Sequence, residues 1–93
     1  MKIEMKKFGE ILTSRTDGKE AGMAAKAYLR PKGHEKIELD FKDVLAVGPS
    51  WLDEFLSILK EEYGVDRIHC LPSDNASVIE SLKTIELQRG KKK

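Results

Sequence analysis

IELDFKDVLAVGPSWLDEFLSILKEEY, residues 37–63, is the stretch that decides the fold. Its first five residues alternate apolar and charged side chains, which predicts a half-buried strand. A second apolar run follows at residues 44–47, and Gly48 and Pro49 end it. From there on the apolar residues recur at helical spacing, which predicts an amphipathic helix: Leu52, Phe55, Leu56, Leu59 and Tyr63. A strand, a bend and a helix in this order indicate an α/β domain.

The segment before this stretch predicts two strands and a helix. The N-terminal residues alternate around Ile3 and Met5, and residues 11–13 form a second β-like run. A hairpin through residues 8–10 would join the two strands. An alanine-rich helix is expected over residues 20–30, opened by a serine or threonine a few residues earlier. Gly18 and Gly22 lower the helix propensity at its start.

The segment after the stretch predicts one more strand and one more helix. Residues 65–71 are expected to form the strand, and Ser73, Asp74 or Asn75 to cap the helix. The predicted order is β-β-α-β-α-β-α. We therefore expect one small α/β domain over residues 1–88, with a mixed four-stranded sheet and helices packed mainly on one face. Residues 89–93 are expected to be a basic, disordered tail.

Composition narrows the classes of function. The formal net charge of +1 provides no electrostatic footprint for nucleic acid or for an anionic membrane. The N-terminus has no continuous apolar core of the kind a signal peptide needs. The single cysteine, Cys70, forms no intramolecular disulfide and has no zinc-site spacing around it. We expect a cytoplasmic protein that is a monomer or a weak homodimer.

Motifs of catalysis and cofactor binding do not occur in the chain. Neither the nucleophile motif Gly-x-Ser-x-Gly nor a glycine-rich phosphate loop is present. His34 and His69 are interpreted as structural residues. We expect no catalytic residues, no cofactor and no metal site.

Two carboxylates suggest a crevice for a small ligand. Asp40 ends the predicted strand, and Asp43 follows it in the bend. The carboxyl ends of parallel strands often line a ligand crevice, to which Ser50 would add the start of the next helix. The alternative is that Asp43 has turn chemistry only. Two acids are too few for a magnesium or calcium site.

The start of the second helix carries the main functional hypothesis. Ser50 lies where helix amides point outward, so a phosphoryl group there would add about −1.5 to −2 charges without refolding the domain. Alternatively, Ser50 caps the helix, with Asp53 completing a capping box. Trp51 is either part of the core or an anchor for a partner.

Several of these segments resemble the STAS-like domains of the DUF4325 family. Residues 37–44 match the family's strand ending in Leu-Asp-Phe, and residues 47–55 match its Gly-x-x-aromatic-x-Asp-Glu helix start. Phe8-Gly9 and Ser14-Arg15 are similar to its opening pairs, and Asn75 and Val78 fall near its last helix. The resemblance covers residues 8–86.

The resemblance implies a regulatory, non-catalytic module that is similar to anti-sigma factor antagonists. In those proteins an Asp-Ser-Ser/Thr-Gly loop is phosphorylated by a partner kinase. The corresponding positions here are Gly48, Pro49, Ser50 and Trp51, so Ser50 is the remaining hydroxyl. We expect residues Gly48, Pro49, Ser50, Trp51, Asp53 and Glu54 to bind a histidine-kinase-type ATPase or a sigma-regulatory protein. Docking is either switched at Ser50 or constitutive. The alternative function is sensing of a small molecule, nucleotide or anion in the crevice of Asp40, Asp43 and Ser50.

Overall fold

The computed structural model describes residues 1–90, and of residues 88–90 only the backbone. Five strands and three α-helices follow one another along the chain: β1 (Lys2–Glu4), β2 (Ile11–Leu12), α1 (Arg15–Tyr28), β3 (Ile37–Asp40), β4 (Ala46–Val47), α2 (Pro49–Tyr63), β5 (Ile68–Cys70) and α3 (Ala76–Gly90). Short 3-10 helices, Met5–Phe8 and Val65–Arg67, follow β1 and α2. Of the predicted basic tail, residues 91–93 lie outside the described residues. No helix among the described residues is long and apolar enough to span a membrane.

The strands form two parallel sheets, so the predicted single mixed sheet of four strands is wrong. One sheet has the order β1-β3-β5, and the other pairs β2 with β4. The predicted hairpin is also wrong, because β1 pairs with β3 and β2 pairs with β4. A 3-10 helix and Gly9, whose φ is 132°, separate β1 from β2. The run at residues 44–47 supplies the additional strand.

The three-stranded sheet buries one face only. Ile3 pairs with Leu39, and Ile37 pairs with Ile68, so all four side chains lie on the same face, and all are buried. The other face is polar and half-buried to exposed: Lys2, Glu4, Glu38, Asp40 and His69. This alternation agrees with the expectation that helices pack mainly on one face.

Helices α1 and α2 pack side by side in the same direction. Contacts between them advance together along both helices, from Gly18 against Trp51 to Gly22 against Ile58. An ion pair of 3.5 Å between Lys26 and Glu62 continues the series. The parallel arrangement follows from the topology, because each helix succeeds one strand of the parallel pair β2 and β4.

Helix capping follows the sequence at two of the three helix starts. The Ser14 hydroxyl accepts a hydrogen bond of 3.0 Å from the Asp17 amide at the start of α1. At the start of α3 the Asn75 side chain accepts one of 2.9 Å from the Ser77 amide. The capping role proposed for Ser50 is wrong, because Gly48 is the N-cap of α2 and no side chain caps that helix. Ser50 is the second residue of the helix, behind Pro49.

Candidate functional site

The predicted docking residues surround the start of α2, but they do not all face solvent. Pro49 is exposed, whereas Gly48 and Ser50 are half-buried. The Trp51 side chain is 1% exposed, so it lies in the core and not on the surface. Of the two interpretations of Trp51, its burial agrees with the core and contradicts an anchor that reaches a partner. We use "α2-start surface" for Gly48, Pro49, Ser50, Asp53 and Glu54.

The buried Trp51 side chain packs beneath the α2-start surface. Its indole stacks on Phe55 at 5.0 Å between ring centroids, with an angle of 12° between the planes. Phe8, from the 3-10 helix after β1, meets the edge of Phe55 at 5.3 Å. A buried aromatic cluster of this kind leaves the first turn of α2 little freedom to move.

Arg15 connects the starts of the two parallel helices. Its Nη1 atom lies 3.2 Å from Oε2 of Glu54 and 3.8 Å from Oδ2 of Asp53. Since α1 and α2 start side by side, the arginine reaches across from one helix to the other. Asp53 and Glu54 are therefore already paired within the chain. An ion pair this exposed contributes about 0.2–1 kcal/mol, so a partner's cation competes for these carboxylates at small cost.

Polar side chains of α3, and of Asn75 directly before it, hydrogen-bond the segment that leads into α2. The Asn75 amide nitrogen donates to the carbonyls of Val44 and Leu45, at 2.9 and 3.1 Å. Ser77 accepts from the Val47 amide at 3.1 Å, and the buried Ser81 donates to the Val47 carbonyl at 2.8 Å. The two serine bonds satisfy the backbone N–H and C=O of Val47 on the edge of β4 that faces away from β2, as the hydrogen bonds of a further strand would. Sequence reasoning assigned Asn75 to a cap and missed both serines; their spacing of one helical turn was the available signal.

Asp40 and Asp43 come together, whereas Ser50 is not beside them. The two acids line a cavity of about 430 Å³ at the carboxyl end of β1 and β3, together with Glu4 and four lysines, Lys2, Lys6, Lys7 and Lys42. Ser50 does not contribute to its lining. The ammonium group of Lys2 lies 3.6 Å from the Asp40 carboxylate.

The turn interpretation also has structural support. The Asp40 side chain accepts a hydrogen bond of 3.0 Å from the Lys42 amide, and the Val44 amide donates to the Phe41 carbonyl. Asp43 has a φ of 68°, the left-handed conformation that aspartate tolerates better than most residues. The residue that hydrogen-bonds the bend is thus Asp40, and Asp43 adapts to it through its backbone.

The remaining reactive side chains that the sequence offers are Cys70, His69 and His34. Burial raises the pKa of the Cys70 thiol to about 11, against a smaller opposing effect of Lys60. At neutral pH the sulfur is therefore protonated and a poor nucleophile. The His69 ring nitrogen Nε2 lies 2.7 Å from the Asp66 carbonyl, and His34 is exposed in the loop before β3. No three His, Cys, Asp or Glu residues in the described part of the chain are grouped to hold a metal ion.

Comparison with known families identifies the class of this domain. Residues 25–87 match the family DUF4325, described as a STAS-like domain of unknown function. The match covers well over half of the chain, so the protein belongs to this family. It includes the stretch 37–55 and the capping Asn75, whereas residues 8–24 lie outside it. Comparisons with curated proteins and with solved structures found no match.

Proposed function

We propose that this STAS-like domain is a non-catalytic, cytoplasmic interaction module that docks a signalling protein through the α2-start surface. The partner class that we favour is a kinase-type ATPase or a sigma-regulatory protein, because the family likeness implies it. The observation that carries the proposal is the ion pair of Arg15 with Asp53 and Glu54 on a rigid aromatic base. Rigid presentation lowers the entropy lost on binding.

Ser50 supplies the proposed means of regulation. It is the second residue of α2, and Asp53 and Glu54 follow it by three and four positions, so all three share one face of the helix. A phosphoryl group on Ser50 would be attracted by the positive end of the helix dipole and by Arg15. It would repel the carboxylates of Asp53 and Glu54. Phosphorylation would thus redistribute charge on the α2-start surface while Trp51 keeps the backbone in place.

The test is capture of partners from native lysate on the immobilised domain, with the captured proteins identified by mass spectrometry. The surface variant is Asp53→Lys with Glu54→Lys, and the matched control is Glu61→Lys with Glu80→Lys, two exposed acids elsewhere. We expect an ATPase or sigma-regulatory protein on the wild type and on the control, and its loss on the surface variant. Equal capture by all three forms contradicts docking at this surface.

A Ser50→Asp variant separates the two modes of docking in the same experiment. Weaker capture by Ser50→Asp supports a phosphorylation switch. Capture equal to that of the wild type supports constitutive docking. Circular dichroism on each variant shows whether the fold is intact, which keeps a loss of binding distinct from a loss of structure.

The alternative function is recognition of a small anion, and the cavity beside Asp40 and Asp43 favours it. Its volume is within the range of ligand pockets, about 300–1,000 Å³, and its four lysines outnumber its three acids. The test is thermal unfolding with inorganic phosphate and with a panel of phosphate monoesters. Saturable stabilisation that Lys42→Ala abolishes and Lys36→Ala retains would support this function. No stabilisation by any compound would exclude these anions as ligands.

A further inference from the structure

The backbone of Arg15 lies beside the first turn of α2. A Cβ atom on Gly48 would lie 3.5 Å from the Cα of Thr13, so these two backbones are in contact. Gly18, further along the chain, lies against the backbone of Trp51. Because Arg15 comes between Thr13 and Gly18, its backbone lies at the level of the residues between Gly48 and Trp51.

The side chain of Arg15 extends along α2 past the level of Ser50. Its guanidinium reaches Glu54, which is four positions after Ser50 on the same face of the helix. At about 1.5 Å per residue, Glu54 lies about 6 Å further along the helix axis than Ser50. The arginine side chain therefore lies beside Ser50 before its guanidinium meets the carboxylate.

The guanidinium of Arg15 has unused hydrogen-bond donors. It carries five N–H groups, and among the described residues only Nη1 donates, to Oε2 of Glu54 at 3.2 Å. The contact with Asp53, at 3.8 Å, is an ion pair without a hydrogen bond. The arginine side chain is 58% exposed. It can therefore turn to another acceptor at the loss of a single hydrogen bond.

A phosphoryl group on Ser50 would be a stronger acceptor for Arg15 than the carboxylate of Glu54. It has three acceptor oxygens and about −1.5 to −2 charges at neutral pH. Arginine binds phosphate through two parallel hydrogen bonds, whereas the bond to Glu54 uses one nitrogen atom. The ion pair that the arginine would give up is exposed to solvent, which makes it weak.

We propose that Arg15 exchanges partners when Ser50 is phosphorylated: it pairs with Glu54 and Asp53 in the unmodified domain and with the phosphoryl group afterwards, which leaves both carboxylates unpaired. A partner kinase transfers the terminal phosphoryl group of ATP. The bond between phosphorus and the Ser50 oxygen forms, the bond to ADP breaks, and the hydroxyl proton is released. This inference rests on the proposed function, because it concerns regulation of the α2-start surface.

The first test is phosphorus NMR of the purified chain with phosphoserine incorporated at position 50. The titration gives the second pKa of the phosphoryl group, which is ordinarily about 6. A paired cation lowers this pKa, so we expect Arg15→Met to raise it by about 0.5. The control is Lys19→Met, which removes an exposed cation from the same helix and should leave the pKa nearly unchanged. Equal pKa values with and without Arg15 would overturn the proposal.

The second test asks whether Arg15 leaves Glu54. Urea denaturation gives the equilibrium constant of unfolding for Arg15→Met, Glu54→Gln and the double variant, each with serine or phosphoserine at position 50. With serine, we expect the two substitutions to be coupled by up to about fivefold, as for an exposed ion pair. With phosphoserine, their effects should be independent. The same coupling in both forms, or none with serine, would overturn the exchange.

The two tests also separate this inference from the proposed function. Both use the purified chain without a partner, whereas docking is measured by capture from lysate. Equal pKa values together with specific capture would overturn the exchange and retain docking. The expected pKa difference without specific capture would retain the exchange and contradict docking.

Discussion

Helices α1 and α2 lie against each other from start to end, but their sequences contribute to the contact in opposite ways. α2 supplies large apolar side chains, five of them buried. α1 buries only three residues, and all are small: Gly18, Gly22 and Ala25. The pattern of large residues predicted α2 directly, whereas the glycines of α1 lowered the expectation of a helix. The absence of side chains at Gly18 and Gly22 is thus as specific a requirement for this helix contact as the large side chains of α2.

The largest effect is expected on the α2 side of this contact. Trp51→Ala should lower the free energy of unfolding by about 3–5 kcal/mol, because it leaves a cavity beside Phe8 and Phe55 where the buried indole was. Urea denaturation followed by far-UV circular dichroism measures the change. Trp51→Phe, which keeps an aromatic ring, should lose much less. A Trp51→Ala domain within about 0.5 kcal/mol of the wild type would show that the indole is not a core residue.

The next largest effect is expected for Gly18 on the α1 side of the contact. The sign of the change in the free energy of unfolding distinguishes close packing from helix propensity. A Cβ atom on Gly18 would lie 2.8 Å from the Cα of Trp51 and would collide with its carbonyl oxygen. Gly18→Ala should therefore destabilise the domain by about 2–3 kcal/mol, because a backbone cannot move aside easily. Helix propensity alone predicts the opposite, a gain of about 1 kcal/mol.

Fluorescence of the single tryptophan during urea titration measures this difference. A stabilised Gly18→Ala domain would contradict the close approach of the two helices.

Gly22 provides a milder version of the same test. Its Cβ would meet the Cδ1 atom of Ile58 at 2.7 Å, which is the end of a flexible side chain. We expect a loss of about 0.5–1 kcal/mol for Gly22→Ala, since repacking and helix propensity offset part of the strain. In an Ile58→Val background the same substitution should become neutral or stabilising. An unchanged loss in that background would place the strain elsewhere.

The smallest effect is expected for the ion pair between the two helix starts. Arg15→Met should cost at most about 1 kcal/mol, because the pair is exposed to solvent. The loss should shrink in ~1 M salt, where charges are screened within about 3 Å. A double-mutant cycle with Glu54→Gln isolates the coupling. A coupling above about 2 kcal/mol would show that Arg15 is a structural clamp.

The sequence located the candidate surface, but it did not show which of its residues are buried and which are paired with other residues. The position of Pro49 before the apolar stripe predicted where α2 begins, and the family likeness pointed to residues 48–54. The assignment of Trp51 to the surface or the core depends on Phe8, which comes from another element and contacts both Trp51 and Phe55 of α2. Likewise, no local pattern links Arg15 to Asp53 and Glu54, 38 and 39 positions further on.

The local sequence by itself determined several features of this domain. They are its α/β class, the apolar stripe of α2, the caps at Ser14 and Asn75, and its membership in a STAS-like family. These features depend on side chains a few positions apart, which periodicity and capping rules describe. Only the tertiary structure decided that the strands divide into two parallel sheets and that Gly18 is a contact point. Such features depend on which distant segments meet, because a pairing or a close approach needs a partner that the local sequence does not contain.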